Sequence, residues 1–196
     1  MNPSRSFLAA ALVAAAGLSI VPVPARAADL GGNAVAGVCM LSREAVFAQS
    51  KVGQAASQRL GQLAEQARTQ LENQRKPLDA DLKAFQQKAP SLSEAERKKQ
   101  GEALQQRLQT FRGQAGELDQ RIQLTRGKAM QRIGQEAEPI VASVYKSHNC
   151  GLLLDRDSVL GGNMTNDLTP GVVQGLDGKM TTISFNLEPL PSNTGK

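Results

Sequence analysis

The chain has 196 residues, of which 40% are hydrophobic, yet it contains no Trp, one Tyr and five Phe. So few aromatics argue against a thick mixed core and against a stacking platform for bases. The formal charge of +5 is a mild excess that bears on partners rather than on fold.

Met1 to Ala27 reads as a secretory signal peptide. Arg5 precedes an apolar run from Phe7 to Val21, and Ala25-Arg26-Ala27 places small residues at the cleavage box, with the cut after Ala27 or Ala28. The mature chain is then exported, and a bacterial periplasm is the simplest destination. Removing Arg5 and Arg26 leaves 21 basic and 18 acidic residues, unevenly spread. Residues 51–146 hold 17 basic and 11 acidic side chains, whereas the rest of the mature chain holds 4 and 7. A basic middle between acidic flanks suggests two parts with different work.

Residues 28–50 supply a first strand within Ala34 to Leu41, then Ser42 as a helix cap. From Lys51 to Lys146 apolar residues recur at three and four. The outgoing stripe is Leu60, Leu63, Ala67, Leu71, Leu78, Leu82 and Phe85. The returning stripe is Leu104, Leu108, Phe111, Ala115, Leu118 and Ile122, then Ala129 and Ile133 after a polar step at Thr125. This is the narrow seam of a coiled coil. The segment 89–93 breaks it, and Ser93 with Glu96 forms a capping box that starts the second helix. A chain folded about Ser91 sets Leu60 against Ile122, Leu63 near Leu118, Ala67 against Ala115, Leu71 against Phe111 and Leu78 against Leu104. At about 1.5 Å per residue the outgoing helix alone reaches roughly 55 Å, so the arm must project. Gly53, Gly61, Gly101, Gly113, Gly116, Gly127 and Gly134 each cost about 1 kcal/mol of helix propensity, and Pro77 should kink the outgoing helix. Two readings fit: packing absorbs these costs, or the arms are built to bend.

Residues 147–179 return to the base. Gly151 to Val159 reads as a buried strand, Gly161-Gly162-Asn163 as a turn, and Thr169-Pro170 as the cap and first residue of a short helix ending at Gly178. In the extension 180–196, Met180 to Leu187 reads as one more strand and Pro189 to Lys196 as disordered. The expected fold is α+β and mostly α, a long antiparallel coiled-coil hairpin projecting from a small β-sheet oligomerisation base. Such a base is marginal alone, and association of several chains is its natural remedy.

The strand V-C-M followed by Glu44 to Ala56, the returning Gly151 to Val159, and Asp167 to Leu176 resemble the Skp (OmpH-like) family of periplasmic chaperones, over Val35 to Leu176. The resemblance implies a homotrimer whose three arms enclose a cavity. It also implies holding of unfolded outer-membrane proteins against aggregation in the periplasm, without ATP. It implies no role for the extension after Gly178.

No enzyme is expected. His148 lacks a ligand cluster and reads as part of a helix end, Asp155 and Asp157 read as strand-end solvation, and no phosphate-binding motif or cofactor site is found. Cys39 and Cys150 flank the hairpin and face an oxidising compartment, where a disulfide and small-residue packing are both open to them. Around the tip, Lys83, Lys88, Arg97, Lys98 and Lys99 with Phe85 and Leu92 form the expected client-facing cluster, suited to acidic clients or anionic lipid headgroups. The competing reading is a structural or adaptor hairpin docking onto an envelope or transport complex. Nucleic acid is not an expected partner, since the charge is modest and aromatics are scarce.

Overall fold

The computed structural model describes residues 28–191; the leader assigned to residues 1–27 and the tail 192–196 lie outside them. Helix dominates, in the α+β arrangement of a long hairpin on a small sheet.

Strand β1 (Ala28–Asp29) pairs in parallel with β4 (Gly161–Gly162), and β2 (Val38–Leu41) pairs in parallel with β3 (Leu152–Asp155). The second ladder aligns Val38 with Leu152 and Leu41 with Asp155. On its other edge β2 bonds to the segment before the last helix: Met40 N–H donates to Asn166 O, and Leu168 N–H to Met40 O. The glycines expected to turn therefore form a strand. Without a Cβ, Gly161 can lie close to the Ala28 carbonyl, and the turn moves on to Asn163, whose side chain accepts from Thr165 N–H.

Helix α1 (Arg43–Gln49) starts at Ser42, whose hydroxyl accepts from Ala45 N–H, and stops at Ser50. Ser50 then caps α2 (Lys51–Lys88) by accepting from Gly53 N–H, while the Asp177 carboxylate accepts from Lys51 N–H at 2.7 Å. One serine thus closes one helix and opens the next, which makes a sharp corner. Pro77 lies within α2, which continues through it as one helix. Helix α3 (Glu94–Ser147) is 54 residues long, about 81 Å, against 38 residues for α2. Its surplus reaches past the corner into the base and packs on α4 (Thr169–Lys179).

Helix α4 departs from the sequence expectation at its start. Leu168 is the capping residue, and the Thr169 hydroxyl accepts instead from Ser42 N–H, 127 residues away. Thr169 is buried where the start of α4 meets Ser42 before α1, and there satisfying a distant donor matters more than capping a solvated helix end. Gly175 lets α4 lie on α3: a Cβ there would come within 2.6 Å of Ile140 Cγ2.

The core is confined to this end of the molecule. Cys39, Leu41, Val46, Val52, Ala56, Ile133, Ala137, Leu168, Val172 and Leu176 form it, and Val52, Val172 and Leu176 are fully enclosed. Cys39 and Cys150 are joined by a disulfide, with Cα atoms 5.8 Å apart and a sequence separation of 111. Asn149 ends α3 with a left-handed φ of 53°, which turns the chain toward that bond.

Two further expectations need correction. The chain does not reverse at Ser91. A 3-10 turn at Ala89–Ser91 prolongs α2, and the reversal falls on extended Leu92 and Ser93. Gly101, which a fold about Ser91 sets opposite Asp81, lies instead beside the Phe85 ring, one helical turn further out. Met180 to Leu187 does not form a strand. It leaves α4 extended and runs back over the hairpin, where arginine side chains rather than a β-ladder meet its backbone groups.

Candidate functional site

The tip cluster is brought together at the distal end of the arm. Lys83, Phe85 and Lys88 occupy the last turns of α2, Leu92 the reversal, and Arg97, Lys98 and Lys99 the first turns of α3. Phe85 and Leu92 are half-buried and all five cations are exposed. The capping box holds this end: Ser93 N–H and Oγ both donate to Glu96 Oε2, and Glu96 N–H donates back to Ser93 Oγ. The Ser93 hydroxyl, and then its backbone N–H, keep the Glu96 carboxyl below its ordinary pKa.

Some of the arm's charges are paired, while Lys76, Arg112, Arg126 and Arg132 on the shaft have no described carboxylate in ion-pair range. On the shaft, Arg68 bonds Glu65 and Glu72 at 2.6 Å each, Arg75 bonds Asp79, and Arg107 crosses to Asp81 at 2.7 Å. The Arg68 hydrogen bond holds the Glu65 carboxyl low. At the tip, no described carboxylate lies in ion-pair range of Lys83, Lys88, Arg97, Lys98 or Lys99. Glu94 and Glu96 in the first turn of α3 offset part of this charge, and the five cations leave the tip a net positive excess. A cleft of about 340 Å³ beneath them is lined by Phe85, Lys88, Gln100, Leu104 and Arg107 among others.

The seam is covered unevenly. Leu63, Ala67, Leu78, Leu104 and Leu118 are buried, whereas Leu60, Leu71, Phe111, Ala115 and Ile122 are only partly covered. Two helices cannot enclose both flanks of a shared stripe, so apolar surface remains open along the shaft. At the base, Leu152 and Leu154 on β3 are 51% and 37% exposed, and Leu160 beyond it is 97% exposed.

Asp155 and Asp157 do more than solvate a strand end. Asp157 accepts from Ser42 Oγ at 2.7 Å, and Asp155 accepts from Asp157 N–H and meets Arg43 at 3.5 Å. Arg156 bonds Asp167 at 2.7 Å, with both side chains about 15% exposed or less. These contacts tie β3 to α1 and α4. Sequence reasoning missed Arg59 and Arg121, which hold the extension, and the one available signal was the polar step at Thr125.

Lys179 donates to Glu136 at 2.8 Å and, by that hydrogen bond first and its charge second, lowers the Glu136 pKa. A lowered folded-state pKa stabilises above the unfolded carboxylate value of about 4.3, and the gain fades as pH falls through the folded value. Glu136→Gln should therefore lower the urea midpoint slightly at neutral pH and match wild type by about pH 3. A gap that persisted in acid would place the effect elsewhere.

Among the described residues, no group of three or more His, Cys, Asp or Glu is placed to hold a metal, and no helix is long and apolar enough to cross a membrane. The class so defined is a helical-hairpin protein, an arm with an open apolar seam and a net basic tip on a base of two short parallel ladders. Residues 37–176 match the model of a family described as outer membrane protein (OmpH-like). The crystal structure of a Caulobacter crescentus protein described as an OmpH-like outer membrane chaperone has a TM-score of 0.72 to this chain at 30% identity, covering 81% of this chain and 94% of the other. No curated protein matches. The chain belongs to the OmpH-like family.

Proposed function

We propose that this chain is an ATP-independent holdase of the periplasm that keeps unfolded outer-membrane proteins from aggregating, and that it acts as a homotrimer without enzymatic activity. The observation that carries this reading is the half-covered seam on a projecting arm of an OmpH-like chain. Leu60, Leu71, Phe111 and Ile122 offer shallow apolar contacts along the shaft. Many weak contacts hold a non-native chain without selecting one sequence. The exposed Leu152, Leu154 and Leu160 give the base a surface for its own copies.

The test joins two measurements on the mature protein: its molar mass in solution, and suppression of aggregation when a urea-unfolded outer-membrane β-barrel is diluted into it. Three chains and suppression are expected; a monomer that leaves aggregation unchanged would reject the proposal. The tip supplies a second check. Replacing Lys83, Lys88, Arg97, Lys98 and Lys99 by Gln should slow capture of an acidic client several-fold at low salt and little at about 0.5 M salt. Equal capture rates at low salt would remove the tip from the mechanism.

A further inference from the structure

The family match ends at Leu176, and beyond α4 the chain continues as a strap that crosses both arm helices. Its pattern has period two: Ile183, Phe185 and Leu187 are half-buried, with Ile183 and Phe185 packed against the core, while Thr182, Ser184 and Asn186 are exposed. The arm meets it largely through main-chain atoms. From α2, Arg59 Nε donates to Phe185 O at 3.0 Å; from α3, Arg121 donates from Nε to Glu188 O at 2.9 Å and from Nη2 to Leu187 O at 3.4 Å. Glu188 N–H donates in turn to Thr125 Oγ1 at 2.9 Å. Thr125 is 1% exposed in an otherwise apolar stripe, and its own hydroxyl proton goes to Arg121 O, which leaves an oxygen lone pair for the strap. Among the described residues, only two polar contacts read strap side chains, Arg59 to Asn186 and Lys128 to Glu188.

We propose that this surface of the arm is a binding groove for extended peptides of alternating polarity, and that the strap is its built-in occupant, displaced when such a segment of a client arrives. Backbone carbonyls and an N–H are offered by any extended chain, so Arg59, Arg121 and Thr125 impose geometry without imposing sequence. The remaining selection is the alternation itself, with apolar side chains on the arm side and polar ones facing solvent. Strands of outer-membrane β-barrels carry that alternation over about ten residues. The strap's ion pair is 54% and 29% exposed, so its hold rests on the Ile183 and Phe185 packing and on main-chain hydrogen bonds, all of which an incoming extended segment of the same alternation would remake. The proposal rests on the holdase reading and adds to it a defined subsite and the class of segment that fills it.

The test uses a fluorophore-labelled peptide of residues 181–191, added to the mature protein and to a variant ending at Met180. A tethered competitor at roughly millimolar effective concentration should weaken peptide binding to the full chain by about tenfold relative to the shortened one. In the shortened background, Arg59→Gln with Arg121→Gln should abolish binding, and a scrambled peptide without the alternation should bind much more weakly. A shortened protein with native circular dichroism and its disulfide intact that binds the peptide no better than the full chain overturns the proposal, as does equal binding of the scrambled peptide. Full-length Ile183→Ser/Phe185→Ser, which removes the strap's apolar packing and is checked for native circular dichroism, should also bind the peptide several-fold more tightly, and decides the matter if the shortened chain fails to fold. Aggregation suppression by the intact protein separates the two readings. Suppression with no peptide binding rejects the groove alone, and peptide binding with no suppression rejects the holdase alone.

Discussion

Cys39→Ala with Cys150→Ala should lower the stability of the mature protein by about 4 kcal/mol, the largest effect expected of any small change in the chain. The bond joins β2 to the residue three positions beyond the end of α3, so it closes a loop containing the entire arm, 111 residues in separation. In the chain-entropy account a cross-link of that span removes much of the freedom of the unfolded chain. The two ends are otherwise joined by a four-residue parallel ladder, the small core beside it, the Ser42 and Arg43 contacts, and the hairpin's own packing. Cys39 is 1% exposed within that core, so its replacement also leaves a gap one sulfur in size. Urea unfolding of the oxidised protein, the reduced protein and the double variant checks this. The reduced and substituted proteins should unfold at similar, much lower midpoints, and an unchanged midpoint on reduction would show that the bond constrains nothing.

Gly53→Ala should cost about 3 kcal/mol, although alanine is the better helix former by about 1 kcal/mol. The residue is buried in the first turn of α2, just past the corner at Ser50, and an added Cβ would fall inside the Phe47 carbonyl group, 2.7 Å from its carbon. The obstacle is backbone, which cannot swing aside as a side-chain end can, so the α1–α2 corner must open. Opening it exposes Val46 and Val52 and loosens the caps on both helices. Gly113 and Gly116 in α3 have nothing within 4 Å of an added Cβ, and alanine there should raise stability by up to about 1 kcal/mol each. Thermal unfolding of the three variants should therefore split in sign. A Gly53→Ala protein as stable as wild type would mean that the corner is loose.

That difference among glycines shows where sequence reasoning stopped. Helix propensity assigns Gly53 and Gly113 the same cost, because the Phe47 carbonyl that distinguishes them arrives only through the corner. Local signals carried well. The capping box at Ser93 and Glu96, the period of the two stripes and the strand before Ser42 are each written within a few residues. The register failed by one turn because a 3-10 turn prolonging α2 leaves no mark in an apolar pattern. The strap was misread for a related reason. Ile183, Phe185 and Leu187 alternate as a strand would, and nothing near them in sequence names Arg59 or Arg121 as partners more than 60 residues away. The Asp155 and Asp157 contacts were hidden likewise, since Ser42 and Arg43 lie more than 110 residues upstream.

The parallel pairing of β2 with β3 also dictates an order of events as the chain folds. Neither strand can find the other early at random, because the cost of closing a loop rises with its length and delays non-local pairing. The hairpin removes that difficulty, since α2 and α3 need only neighbours along the helix and across the turn. Once they zip together from the Leu92–Ser93 reversal, the two strands arrive side by side with almost no chain left to close. The arm is thus the template on which the base is assembled before it becomes the part that reaches outward.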